Sequence, residues 1–308
     1  MKSAVVFLIF NRPEQTRRSF NKIREARPPI LLVVCDGPRA NHPKDVENVN
    51  EVRQIIDDGV DWPCNVLKNY SESNLGCRER PASGINWAFS IVDEAIFIED
   101  DCLADETFFD FCDEMLDRFR FDERVMHVNG TNFIGEHFQP RESYFFSKYV
   151  WVWGWATWRR AWCHYDYTMA SWDEKVSTLL ESFDSRREQA FWISTFEEAR
   201  RDWVSAQAWD FPWIYTCWIR GGLSVVPTVN LIENIGFGPD ATHTNSGCSH
   251  LHVAARKLDL SVHPRWIRRN QWCDDMMFRK YAGEALSTVS NLIGVLRVSF
   301  QQIARSWR

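Results

Sequence analysis

The chain has 308 residues, 45% of them apolar, and a formal net charge of −6, which is enough to bury a substantial core and excludes a disordered chain. The charge is uneven, because residues 256–308 carry ten Lys/Arg against four Asp/Glu and leave about −12 on the first 255. An acidic body excludes broad nucleic-acid binding, whose affinity comes mostly from phosphate neutralisation by Lys and Arg.

Nine cysteines lack a Cys-x-x-Cys pair or a zinc-type spacing, so neither a disulfide framework nor a structural metal is expected, and a reduced, cytoplasmic setting fits best. The apolar run 4–10 is short and leads into Asn11-Arg12-Pro13 without a small-residue cleavage site, so it reads as a first strand and not a leader. No stretch reaches the roughly 18 apolar residues of a membrane span.

Runs 5–10, 30–34 and 95–98 are β-branched and do not alternate, as in strands covered on both faces of a parallel sheet. Helical spacing follows over 14–26, with Thr16, Phe20 and Ile23 after Pro13, and over 81–92, with Ile85, Ala88 and Ile91. The expected fold is α/β, a doubly wound, mostly parallel twisted sheet flanked by helices, in which ligands gather at the carboxyl ends of strands. Polar clusters sit at those ends: Asn11-Arg12, Asp36-Gly37 and Glu99-Asp100-Asp101. A helix over 107–119 buries Phe108, Phe111, Cys112, Met115 and Phe119. Residues 144–172 and 203–218 are then dense in aromatics, and 286–303 places Val289, Leu292, Leu296, Phe300 and Ile303 on one stripe.

Paired carboxylates at a strand end can hold a hard cation such as Mg²⁺ or Mn²⁺, which takes oxygen ligands and leaves positions for phosphate. The competing reading of Glu99-Asp100-Asp101 is a solvated turn capping the helix that begins near Asp105. Asp36 and Arg12, expected at neighbouring strand ends, would add an acceptor for a base or ribose and a cation for a phosphate. Direct displacement at a sugar carbon also needs a general base. Asp210, set among rings in Trp209-Asp210-Phe211-Pro212-Trp213, is the candidate, with Asp166 and Asp173 as fallbacks and helix capping as its ordinary role.

Several segments, in order, resemble a GT-A glycosyltransferase, most closely the N-acetylglucosaminyltransferase I type: "FLIFNRPEQTRRSFNKI", "ILLVVCDGPR", "INWAFSIVDEAIFIEDDCLADETFFDF", "VWGWATW", and "WDFPWIYTCWIRGG" with "VVPTVNLIENIGFG". Some bacterial proteins of this kind carry a haemolysin label, which these residues do not support. The resemblance covers about residues 4–240. It implies a nucleotide-sugar half (1–135) and an acceptor half (136–255) within a catalytic domain 1–255, followed by a basic helical extension over 256–308. It implies Asp101 as metal ligand, Asp100 at the ribose, Glu99 close to the nucleotide, Asp36 accepting from a base imide and so favouring uridine, and Arg12 near base or diphosphate. Where the family has two consecutive acids, this chain has Asp210 followed by Phe211, so the base is Asp210 or another acid. A late histidine completes the metal site in many such enzymes, and His243 is preferred over His250 and His252. One or two of Trp153, Trp155 and Trp158 should touch ligand, Trp155 on the nucleotide-sugar side.

The expected function is a metal-dependent, inverting transfer of a sugar from a UDP-sugar to a hydroxyl of a glycan or glycolipid, with Mn²⁺ or Mg²⁺. A sugar-phosphate nucleotidyltransferase and a non-catalytic carbohydrate-binding protein are the alternatives. The C-terminal helix either lies on an anionic membrane surface near a lipid-linked acceptor or closes the core or a dimer contact.

Overall fold

The computed structural model describes residues 1–135, 138, 140–201, 208–236 and 253–283. Its first half runs β1 (Ala4–Ile9), α1 (Pro13–Ala26), β2 (Ile30–Cys35), α2 (Pro43–Gly59), β3 (Asn65–Tyr70), α3 (Gly76–Ile91), β4 (Glu94–Glu99), β5 (Cys102–Ala104) and α4 (Phe108–Phe119). Strands β3-β2-β1-β4 are neighbours in that order and all pair in parallel. Their unbroken apolar runs have a direct cause, since alternate residues of β1 serve opposite layers. Val5, Phe7 and Ile9 pack with Phe20 and Ile23 of α1 and Val49 and Val52 of α2, while Val6 and Leu8 pack with Ala82, Ile85 and Ala88 of α3. The fold is Rossmann-like.

Helix α3 begins at Gly76, five residues ahead of the expected start at Pro81. Pro81 lies inside the helix and removes one main-chain donor from it without ending it. The helix can lie close on the sheet because residue 84 is glycine: a Cβ there would stand 2.4 Å from Cγ1 of Val34.

The second half contains β6 (Val125–Asn129), β7 (Tyr144–Ser147), β8 (Trp155–Trp158), α5 (Arg159–Trp162), α6 (Trp172–Glu181), α7 (Arg186–Arg201), α8 (Asp210–Ile219), β9 (Leu223–Pro227), β10 (Ile232–Asn234) and α9 (Gln271–Ala282). The sheet continues β8-β6-β9-β7 to eight strands. β8 runs antiparallel to both β4 and β6, and β7 antiparallel to β9, so the parallel character belongs mainly to the first half. A separate antiparallel pair, β5 with β10, sits just beyond the end of β4.

Trp155, expected at the ligand, is a core residue. It is fully buried on β8, stacked on Phe97 at 4.4 Å between ring centroids and on His127 at 5.0 Å. The reason is register, because Trp155 pairs with Phe97 across β4–β8 and so faces the layer beneath the sheet. Trp158 is buried as well, its indole N–H donating to the Leu116 carbonyl at 3.1 Å.

His127 is expected to make this core sensitive to acid. Its Nε2 lies 3.0 Å from the Trp151 carbonyl and its Nδ1 accepts the indole N–H of Trp213 at 3.2 Å, which defines the neutral Nε2–H tautomer. A second proton would meet the Trp213 N–H head on, and burial already pushes the imidazole down to about 3. Unfolded, the same ring takes a proton below about 6.5, so its contribution to stability is full above that pH and is lost as pH falls from about 6.5 towards 3. Urea unfolding across that window should show a slope of up to about 1.4 kcal/mol per pH unit from this group, and His127→Gln should flatten the profile. An unchanged profile would remove His127 as the cause.

Residues 253–283 pack on the main body. Leu258 N–H donates to the Thr107 hydroxyl at 3.0 Å, Val262 N–H donates to the Ser143 hydroxyl at 3.0 Å, and Arg269 bridges to Phe146 of β7. In α9 the fully buried Asp274 accepts from the Ser147 hydroxyl and from Arg269, and Arg269 also pairs with Asp184. Part of the basic surplus of the C-terminal segment is therefore spent on internal ion pairs. The striped segment 286–303 lies outside the described residues. Among the described residues no helix is long and apolar enough to cross a membrane, and eight cysteines are free thiols.

Candidate functional site

A cavity of about 590 Å³ opens at the carboxyl ends of β1, β2 and β4 and is closed from the other side by the 150–153 segment, the start of α8 and the end of α9. It brings together Arg12, Asp36, Glu99, Asp100, Asp101 and Asp210. These residues are far apart in sequence, and parallel winding delivers the first five to one edge of the sheet.

The acidic turn is fixed from below. The Asp100 N–H donates to the Leu8 carbonyl at 3.0 Å, and the Ser19 hydroxyl donates to the Asp100 carbonyl at 2.9 Å. The Asp100 carboxylate accepts from Phe10 N–H at 3.1 Å and faces the Arg12 guanidinium at 3.4 Å, while Asp101 takes the closer contact with Arg12 at 2.8 Å. Burial pushes Asp100 up to about 7 even though Arg12 opposes it, and burial together with Asp101, Asp100 and Asp210 drives Glu99 well above the usual carboxylate range. Arg12 is thus set against three neighbouring carboxylates, and a fourth, Asp210, also raises Glu99. Three carboxyl groups crowd one guanidinium, so a cation bound among them would displace protons and relieve the repulsion that raises Glu99.

Asp101 is also held from the far side. Its carbonyl accepts from Ile235 N–H at 2.7 Å, next to the β5–β10 pair. Gly236 lies so near that a Cβ there would come within 2.2 Å of Asp101 Oδ2. Gly236→Ala should therefore push the Asp101 carboxylate off its position, and titration with Mn²⁺ should show weakened binding by a protein whose melting temperature is little changed. Unaltered Mn²⁺ affinity would separate Asp101 from cation binding.

Asp36 does something the sequence reading did not foresee. Its two oxygens accept from Gly37 N–H at 2.8 Å, Leu75 N–H at 2.9 Å, Gly76 N–H at 2.9 Å and the Asn74 amide at 3.0 Å. The carboxylate sits on the N-terminus of α3, where main-chain N–H groups and the helix dipole favour negative charge. It is nearly buried, and its lone pairs are engaged by the loop that precedes α3.

Asp210 opens α8 and faces the cavity, with its Oδ1 accepting from the Phe211 N–H at 3.0 Å. The fallbacks are elsewhere. Asp166 accepts from Ala170 N–H, Ser171 N–H and the Ser171 hydroxyl and thereby closes its own loop, and Asp173 lies in the first turn of α6 on the surface. His243, with Asp240, His250 and His252, lies outside the described residues. Among the described residues no three His, Cys, Asp or Glu side chains form a ready-made metal cluster. A divalent ion that keeps water and phosphate ligands does not need one, and a single carboxylate such as Asp101 fits that coordination.

Sequence reasoning missed several lining residues. Arg39 grips Asp45 through two bonds of 2.6 and 3.0 Å, which hold that carboxyl down at about 2, and lies over the Phe10 ring at 5.5 Å. Arg80 ties the ends of β2 and β3, donating to the Cys35 carbonyl at 3.2 Å and to the Asn69 side chain at 2.9 Å. Trp151 and Tyr281 complete the aromatic side. Trp151 stood in a visible aromatic run. Tyr281 lies about 130 residues further on with no local motif to mark it.

No family model matches the chain, and no curated protein matches it. Solved structures do: S. aureus TarS, at 13% identity and TM-score 0.34, over 52% of this chain and 47% of that one; apo UDP-glucose pyrophosphorylase, at 7% and 0.39, over 76% and 93%; and UDP-glucose pyrophosphorylase complexed with UDP-glucose, at 9% and 0.28, over 52% and 69%. The match therefore spans about half the length of TarS. At these TM-scores the likenesses carry no argument, and the fold and the chemistry of the site rest on this chain's own residues.

Proposed function

We propose that the chain is a metal-dependent, inverting glycosyltransferase that moves a sugar from a UDP-sugar to a hydroxyl of a glycan or glycolipid. The observation that carries this reading is one cavity lined by both the Glu99-Asp100-Asp101 turn and Asp210. Bound at Asp101, Mn²⁺ or Mg²⁺ would supply positive charge to a diphosphate leaving group. Arg12 orients the Asp100 and Asp101 carboxylates. Asp36 holds the β2 turn against α3 and so shapes the end of the cavity where a base would lie. Asp210 takes the proton of the acceptor hydroxyl as its oxygen bonds to the anomeric carbon and the bond to the diphosphate oxygen breaks. One displacement of this kind inverts the anomeric centre.

A nucleotidyltransferase would use the same strand ends. It commonly has a glycine-rich basic loop after its first strand, where this chain has Asn11-Arg12-Pro13 entering α1, and it has no need of a base at the position of Asp210. The test is to incubate purified protein with a UDP-sugar panel and Mn²⁺, with and without glycan acceptors, and in parallel with UTP and sugar 1-phosphates. UDP release is expected. Pyrophosphate release from UTP would establish the second reading, and neither product together with no Mn²⁺-dependent UDP binding would sink both.

A further inference from the structure

The cavity wall includes rings from three separate parts of the chain. Trp153 comes from the segment before β8, Phe211 from the first turn of α8 and Tyr281 from the last turn of α9. These three keep part of their surface exposed, whereas Phe133, Trp151 and Trp209 are buried behind them. Buried rings hold Trp153 and Tyr281 at fixed angles. Phe133 meets Trp153 edge-on at 5.4 Å and Trp151 at 5.0 Å, and Tyr281 leans on Trp151 at 4.7 Å and stacks on Trp192 at 5.5 Å with their planes 2° apart. Asp210, adjacent to Phe211 in the chain, lines the same cavity.

We infer that Trp153, Phe211 and Tyr281 form the subsite for the acceptor, which enters as a pyranose ring lying with its C–H face on the aromatic planes while a hydroxyl at its edge reaches Asp210. Rigid flat rings suit the apolar face of a sugar, and a carboxylate beside them suits its polar edge. The identity of the hydroxyl that reacts rests on the transferase reading above. The stacking itself does not. Tyr281 makes the C-terminal segment part of the site, so α9 is a determinant of acceptor choice.

The experiment titrates the full-length protein, without nucleotide or metal, with methyl pyranosides (gluco, galacto and N-acetylglucosaminide) and with 1,6-hexanediol as an alkyl probe, following tryptophan emission. At least one pyranoside should bind saturably. Its dissociation constant should rise about three- to tenfold in Tyr281→Ala and in Phe211→Ala, as expected for loss of one aromatic contact, and should be retained in Tyr281→Phe. Equal affinity in Tyr281→Ala and wild type, no saturable pyranoside binding, or hexanediol binding that responds to the same substitutions would overturn the assignment, the last in favour of a lipid. Mn²⁺-dependent UDP binding is measured on the same proteins by calorimetry. Its absence alongside intact pyranoside binding removes the transferase reading and leaves the subsite standing.

Discussion

Asp101→Asn is expected to lower acceptor-dependent UDP release by about a hundred- to a thousandfold, the range seen when one preorganised charge is taken from a transition state. The substitution keeps the shape of the side chain and its main-chain bond to Ile235 but removes the charge that a divalent ion would meet. Folding should suffer little. The Asp101 side chain is partly exposed and its pair with Arg12 lies at the cavity edge, where such pairs contribute about 0–1 kcal/mol. Relief of repulsion with Glu99 offsets part of even that. Mn²⁺-dependent UDP binding should disappear with turnover. Asp210→Asn is expected to differ, with kcat reduced about 10²- to 10⁴-fold and UDP binding intact, since a general base acts only after the donor is bound. Full activity in Asp101→Asn would mean that the acids serve the fold alone.

Arg269→Ala should destabilise the protein by about 3–5 kcal/mol, the usual cost of removing one member of a buried ion pair. Asp274 is fully buried, and without the guanidinium its carboxylate retains the Ser147 hydroxyl as its side-chain donor. Burial already raises its pKa, so the native state would have to bind a proton or leave a bare charge in the core. Asp184 would lose the same partner, although Lys148 remains 3.3 Å away. Urea unfolding should show the loss, and the double substitution Arg269→Met with Asp274→Leu should recover most of it, because well-packed apolar side chains can replace a buried pair. Since α9 carries Tyr281, the single variant should also bind pyranosides more weakly than its residual folded fraction accounts for. A loss below about 1 kcal/mol would show the pair to be dispensable.

Much of the first hundred residues could be read without a structure. Residues 5–10, 30–34 and 95–98 are apolar without alternation because both faces of each strand are covered, and the parallel sheet with polar clusters at its strand ends follows from that pattern. Strand β3 was not anticipated, since its edge position leaves NVLKNY mixed in polarity and half-exposed. The sequence places the start of helix α3 at Pro81, which resembles a first-turn residue, whereas the actual start depends on Asp36, 40 residues earlier, accepting from the N–H of Gly76. The position of Trp155 is hidden for a comparable reason. An aromatic run shows that rings will be present, but the pairing of Trp155 with Phe97 decides which of them face the core.

What the sequence determined by itself is therefore the winding of the first half and the acids at its strand ends, because strand periodicity and chain order are local properties. The tertiary structure alone decided how those acids are used. It turned Asp36 from an open acceptor into the cap of α3, set Arg12 closer to Asp101 than to Asp100, and drew Tyr281 from a distant helix into the cavity wall. Each of these depends on contacts between segments far apart in the chain, where packing and desolvation fix the geometry.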